Sequence, residues 1–127
     1  MIALTLPFPP TINHYYGVCG KSRFIRPAGK KFRLQVAEIV AEAGHATFEE
    51  SVSVFIRIFP PDRRKRDLDN LLKALQDALT HAGVWVDDSQ IKDLHIISDE
   101  IVKGGQAKIV ITDLKAKSPT VSAAELL

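Results

Sequence analysis

The chain has 127 residues, of which 46% are hydrophobic and 25% charged, an ordinary globular composition that needs neither a disulfide lattice nor a structural metal to fold. The single cysteine, Cys19, excludes an internal bridge and favours a reducing compartment. No run approaches the roughly 18 apolar residues of a membrane span, the first residues lack the basic start of a signal peptide, and the expectation is a cytoplasmic, single-domain protein.

Ile2 to Leu6 reads as a first strand, stopped by Pro7-Phe8-Pro9-Pro10, where no helix can start. Thr11 to Arg26 is polar, aromatic and turn-rich, which predicts a long loop of the functional kind. Pro27 suits a helix start, and Phe32, Val36, Ile39, Val40 and Ala43 recur at helical spacing up to Gly44, so a first helix spans about residues 27 to 43. Ser51 to Phe59, with Val52, Val54, Ile56 and Ile58 on one face, predicts a central strand ended by Pro60-Pro61. Leu68, Leu71, Leu72, Leu75, Leu79 and Ala82 form the clearest helical stripe, closed by Gly83. After Val84-Trp85-Val86, the segments Leu94 to Val102 and Gln106 to Thr112 read as a hairpin turning at Gly104-Gly105. The order β-α-β-α-β-β implies an α/β (α+β) domain, one mixed sheet with helices packed against it. Residues 115 to 127 lack a period and read as a flexible tail.

The net charge of +2 hides a segregation. Residues 1 to 37 hold six basic side chains and no acid, residues 74 to 101 hold six acids against Lys92 alone, and both signs crowd together from Asp62 to Asn70. A protein that binds a polyanion and also holds a cation would distribute charge this way; clustered surface charge without function would look the same.

Asp67 and Asp69 stand where a loop enters the second helix, and Lys73 follows Asp69 by four residues. An Asp there is a common cap, and Asp69 with Lys73 is an ordinary helical pair. One Asp suffices as a cap, however, and two lie within three residues, preceded by Arg63, Arg64, Lys65 and Arg66. Clustered carboxylates need a compensating cation, and hard oxygen donors suit Mg²⁺ or Mn²⁺. Asp87-Asp88 could add a third carboxylate. Such a set fits metal-assisted phosphodiester hydrolysis: Asp67, Asp69 and Asp88 as metal ligands, Lys73 as a fixed positive charge near the scissile phosphate, and Arg63 to Arg66 on flanking phosphates. The four histidines, His14, His45, His81 and His95, show no zinc-ligand spacing. Trp85 reads as core in preference to a contact with bases, whereas Phe8, Tyr15 and Tyr16 are candidates for stacking on unpaired bases.

Pro61-Asp62-Arg63-Arg64-Lys65-Arg66-Asp67-Leu68-Asp69-Asn70-Leu71, with Lys73, Asp77-Ala78-Leu79 and Gly83-Val84-Trp85-Val86-Asp87-Asp88, resembles the RusA family of Holliday junction resolvases. Leu6-Pro7-Phe8-Pro9-Pro10-Thr11-Ile12-Asn13 with Tyr15-Tyr16, and Lys103-Gly104-Gly105, extend the resemblance from about Leu4 to Thr112, within an endonuclease-like domain of residues 1 to 114. The resemblance implies a homodimer that binds four-way DNA junctions and, with Mg²⁺ or Mn²⁺ in its place, nicks two opposing strands. It implies catalytic roles for Asp67, Asp69, Asp88 and Lys73, and a role in junction binding or catalysis for Arg66, beside the phosphate contacts read above for Arg63, Arg64 and Lys65. Asn13, Tyr15, Tyr16, Lys21 and Arg23 are the candidate DNA contacts of the N-terminal segment. Asp87 is open between ligand, tuning neighbour and cap. Two symmetric cuts need two active sites, which a two-fold axis supplies. A non-catalytic dimer that grips branched DNA, or a nucleotide-hydrolysing enzyme, would use the same charges differently.

Overall fold

In the computed structural model, which describes residues 1–114, the first strand keeps its expected period of two. Strand β1 (Ile2–Pro7) buries Ile2, Leu4 and Leu6 and exposes Ala3 and Thr5. Strand β4 (Val52–Phe59) sends Val52, Val54, Ile56 and Ile58 into the same core. Between these two lies β6 (Gln106–Asp113), antiparallel to both, and β5 (Ile91–Ser98) runs parallel to β4 on its far side. The sheet order is β1-β6-β4-β5.

Helix α2 (Pro27–Ala43) begins at the proline and ends at Gly44, whose φ of 67° supplies the left-handed cap. Helix α3 (Leu68–His81) buries Leu71, Ala74, Leu75, Ala78 and Leu79, which join Phe32 and Val36 of α2 and the inward residues of the sheet in one core. Mixed sheet and packed helices are thus as expected. The crossover from β4 through α3 to β5 is what lets those two strands lie parallel.

Two expectations are corrected. The segments around Gly104-Gly105 do not form a hairpin: β5 and β6 lie on opposite sides of β4. The connecting residues are tied to the end of β4, with Asp99 N–H donating to the Ile58 carbonyl at 2.7 Å and Val102 N–H to the Pro60 carbonyl at 3.0 Å. That carries the chain past β4 instead of back along β5. The stretch from Thr11 to Arg26 is not an open loop either. It folds into a one-turn helix α1 (Ile12–Tyr15) and a hairpin of β2 (Tyr16–Cys19) and β3 (Ser22–Ile25), which form their own two-stranded sheet. The expected tail lies outside the described residues. Among the described residues no helix is long and apolar enough to cross a membrane.

Candidate active site

Asp67 precedes α3 in extended backbone (φ −89°, ψ 115°) and its Oδ1 accepts the Asp69 N–H at 3.1 Å, so it caps the helix. A carboxylate has two oxygens, and capping through one leaves the other available to a second partner. Asp69, one turn before Lys73, places Oδ2 3.6 Å from the Lys73 ammonium, with the two side chains 64% and 58% exposed. That pair contributes little to stability, since exposed ion pairs are worth about 0–1 kcal/mol. Its location at the surface suits contact with something arriving from solvent.

Lys73 lines an open cleft of about 270 Å³ together with Asp88, Asp87, Tyr16, Arg23 and Asp77. Asp88 begins a single 3-10 turn (Asp88–Gln90), and Asp87 is its cap: Asp87 accepts the Ser89 N–H and hydroxyl, while Gln90 returns its Oε1 to the Asp87 N–H at 2.9 Å. The Ser89 hydroxyl and backbone N–H hold the Asp87 carboxyl below the usual range. Capping is therefore the structural work of Asp87, and Asp88 beside it is exposed. The structure brings Asp88 and Lys73 to one cleft, whereas Asp67 and Asp69 stand at the start of the helix, outside its lining. Among the described residues no group of three His, Cys, Asp or Glu side chains is gathered into a metal cage. The donor set is nonetheless of the right chemistry for a hard divalent ion that keeps much of its water shell: exposed carboxylates on two neighbouring elements.

The back of this cleft is built by a residue that sequence reasoning passes over as a functional position. Asp77, one helical turn beyond Lys73, accepts the hydroxyls of Tyr15 and Tyr16 (2.7 Å for Tyr16) and both the Nε and Nη2 of Arg33, at 3.1 and 2.7 Å. Burial alone would raise its carboxyl, but the two tyrosine hydroxyls and the guanidinium outweigh this and hold it below the usual range. Tyr15 is the converse: burial, then the hydrogen bond to Asp77, push its phenol up. Tyr15 has no exposed surface, so its expected role as a DNA contact is corrected. Its ring fills the core, and its hydroxyl is satisfied there on both sides, donating to Asp77 and accepting from the Arg33 Nε at 2.6 Å. Tyr16 remains partly exposed and carries the Arg23 guanidinium 3.8 Å above its ring centre. Gly29 permits this arrangement, because a Cβ there would sit 2.5 Å from the Tyr15 carbonyl oxygen. Asn13 on α1 and Lys21 at the hairpin turn are exposed.

A second concavity, of about 540 Å³, runs between Phe8-Pro9-Pro10, α2 and the basic loop, lined by His14, Lys31, Gln35, Arg64, Lys65 and Arg66 among others. The loop's four basic residues divide in two. Arg63, Arg64 and Lys65 are exposed. Arg66, with its side chain 18% exposed, pairs with Asp62 at 2.8 Å, donates to the Asp62 and Arg64 carbonyls and lies over the Phe8 ring. It holds the loop in shape as well as lining the groove. Nothing in the sequence singles out Lys31 as a partner of this loop, because only the fold brings α2 against it. Trp85 is core, 1% exposed, with its indole N–H on the Thr80 hydroxyl at 2.6 Å.

The sequence model described as Endodeoxyribonuclease RusA matches residues 7–112. The chain is 39% identical over 113 residues to the crossover junction endodeoxyribonuclease RusA of Escherichia coli strain K12, covering 88% of this chain and 94% of that protein. It is 40% identical over 115 residues to the enzyme of that name from Enterobacteria phage 82, covering 87% and 93%. It is 38% identical over 112 residues to that of Enterobacteria phage HK97, again covering 87% and 93%. With both α3 acids, the lysine and the Asp87-Asp88 turn inside the matched span, the chain belongs to the RusA endodeoxyribonuclease family.

Proposed function

We propose that the protein is a Holliday junction resolvase: a homodimer that binds four-way DNA junctions and, with Mg²⁺, makes paired nicks in opposing strands. The observation that carries the reading is the cleft that joins Lys73 to Asp88 next to the α3 acids, within a chain that matches crossover junction endodeoxyribonucleases along nearly its whole length. Asp67, Asp69 and Asp88 would hold the ion, and Mn²⁺ could replace it. When bound, it lowers the proton affinity of a coordinated water and neutralises charge on phosphate oxygens.

The protein's own groups do the rest. Lys73 keeps an ammonium beside the scissile phosphate, where it offsets the charge that builds as water adds to phosphorus and the P–O bond to the leaving strand breaks. Its side chain is steered by Asp69, 3.6 Å away. Arg63, Arg64 and Lys65, with Lys31 across the groove, contact flanking phosphates and supply affinity without sequence information. Asn13 and Lys21 on the N-terminal segment face the same substrate. A two-fold axis would give one active centre per cut strand.

Incubation of the purified protein with a synthetic four-way junction and Mg²⁺ should yield paired nicks. No cleavage across a range of junction sequences and divalent ions would reject the reading in favour of a binding module.

A further inference from the structure

Two features of the N-terminal hairpin go beyond a general role in DNA binding. Arg23 on β3 has no ion pair among the described residues, yet it lies in the cleft that holds Lys73 and Asp88. Its guanidinium is stacked on Tyr16, 3.8 Å from the ring centre, which fixes the plane of the fork while leaving its N–H edge for a partner. Tyr16 in turn is fixed to α3, because its hydroxyl donates to Asp77 Oδ1 at 2.7 Å. Asp77 is one helical turn from Lys73 on the same helix. Its negative charge is already met by Arg33, so it does not compete for Arg23.

We propose that Arg23 binds a backbone phosphate inside the active cleft, opposite Lys73, and that Asp77 and Tyr16 are positioning residues that hold it at a fixed offset from that lysine. The inference rests on the endonuclease reading above. A planar, bidentate cation suits the phosphodiester of the strand being cut, or the one next to it, better than a mobile lysine would. The rigid link matters because catalysis here is largely a matter of placing charge: a group free to wander by an ångström loses much of its effect. The hairpin is small, with four residues in each strand, and Gly17 accommodates the Phe24 ring lying across it. Such a small element has little core of its own; Tyr16 and Ile25 pack it on the main core, and the hydrogen bond to Asp77 fixes the ring on which Arg23 stacks.

The test measures junction affinity against salt in the absence of divalent ions, and single-turnover nicking with Mg²⁺, for wild type and four variants. Arg23→Gln should lower the slope of log affinity against log salt by about 0.9 for each phosphate that the side chain no longer neutralises. It should slow nicking roughly tenfold to a hundredfold. Tyr16→Leu, which removes both ring and hydroxyl, should reproduce both effects, and the double variant should add nothing further. Tyr16→Phe keeps the stacking ring and should lie between wild type and Tyr16→Leu. A merely structural role for Tyr16 would lower the melting temperature but leave the salt slope unchanged. An unchanged slope in Arg23→Gln, or additive effects in the double variant, overturns the proposal while wild-type nicking stands. A wild type that neither binds nor nicks junctions overturns the endonuclease reading instead.

Discussion

Replacing Asp77 by Asn tests whether one carboxylate fastens the N-terminal segment to α3. In the native protein that carboxylate accepts four hydrogen bonds, from two tyrosine hydroxyls and two nitrogens of Arg33. An amide of the same shape keeps one acceptor oxygen, and the NH₂ in place of the other can only donate, so at least one of these bonds is lost or reversed: the Tyr16 bond if the amide oxygen stands where Oδ2 was, the Tyr15 and both Arg33 bonds if it stands where Oδ1 was. It also leaves Arg33, whose side chain is only 21% exposed, without its counter-charge. Hydrogen bonds to charged groups contribute about 1.5–3 kcal/mol each. Residual exposure of Asp77, at 29%, allows water to compensate part of the loss, so the net cost should be about 2–4 kcal/mol. At about 4 °C per kcal/mol for a domain of this size, the melting temperature should fall by roughly 8–16 °C. Circular dichroism melts at neutral pH measure this directly. The pH dependence adds a second check. The Asp77 carboxyl is held below its usual range when folded, so its contribution is fully present above about pH 4 and is lost as pH falls through the folded value. The gap between wild type and Asp77→Asn should therefore narrow in acid. A melting temperature within about 2 °C of wild type at neutral pH, or a gap that does not change in acid, would refute the assignment.

Gly29→Ala should destabilise by about 1–2 kcal/mol in a denaturant titration, since the new Cβ overpacks against the Tyr15 carbonyl and Ile25. The sign is informative, because Gly→Ala at an unobstructed helix position stabilises by about 0.5–1 kcal/mol. Arg64→Gln and Lys65→Gln should weaken junction binding to a similar degree for all sequences and each reduce the salt slope by about 0.9. Arg66→Gln should instead lower the melting temperature as well, because its guanidinium ties the loop to Asp62 and to two carbonyls.

The elements that the sequence makes legible are those whose burial is periodic over enough residues to show. The α3 stripe of Leu71, Leu75 and Leu79, the alternation in β1 and β4, and the Pro27 and Gly44 limits of α2 all match the structure. The segment from residue 11 to 26 does not, because each of its three elements is only four residues long, too short for a period to emerge. Tyr15 reads as a surface aromatic because the partner for its hydroxyl, Asp77, is 62 residues away in the chain. The separation of β5 from β6 is hidden for a related reason. Two strands near Gly104-Gly105 invite a local turn, and only the position of β4, flanked on both sides, keeps them apart. In the site, Asp67, Asp69, Lys73 and Asp88 are visible from residue type and spacing. Arg23 and Tyr16 are named from the sequence as DNA contacts, but that they share a cleft with Lys73 and Asp88 and are tied to Asp77 is not legible there, since these residues meet only through the fold.

If Asp67, Asp69 and Lys73 serve to cut DNA rather than merely to cap and pair, nicking and binding must be separable. Mapping of cleavage sites on a mobile four-way junction with Mg²⁺, comparing wild type with Asp69→Asn, tests it most directly. Wild type should make symmetric nicks on opposing strands, and Asp69→Asn should bind the junction undiminished without nicking it. Equal nicking by both proteins, or loss of binding in step with loss of nicking, would contradict it.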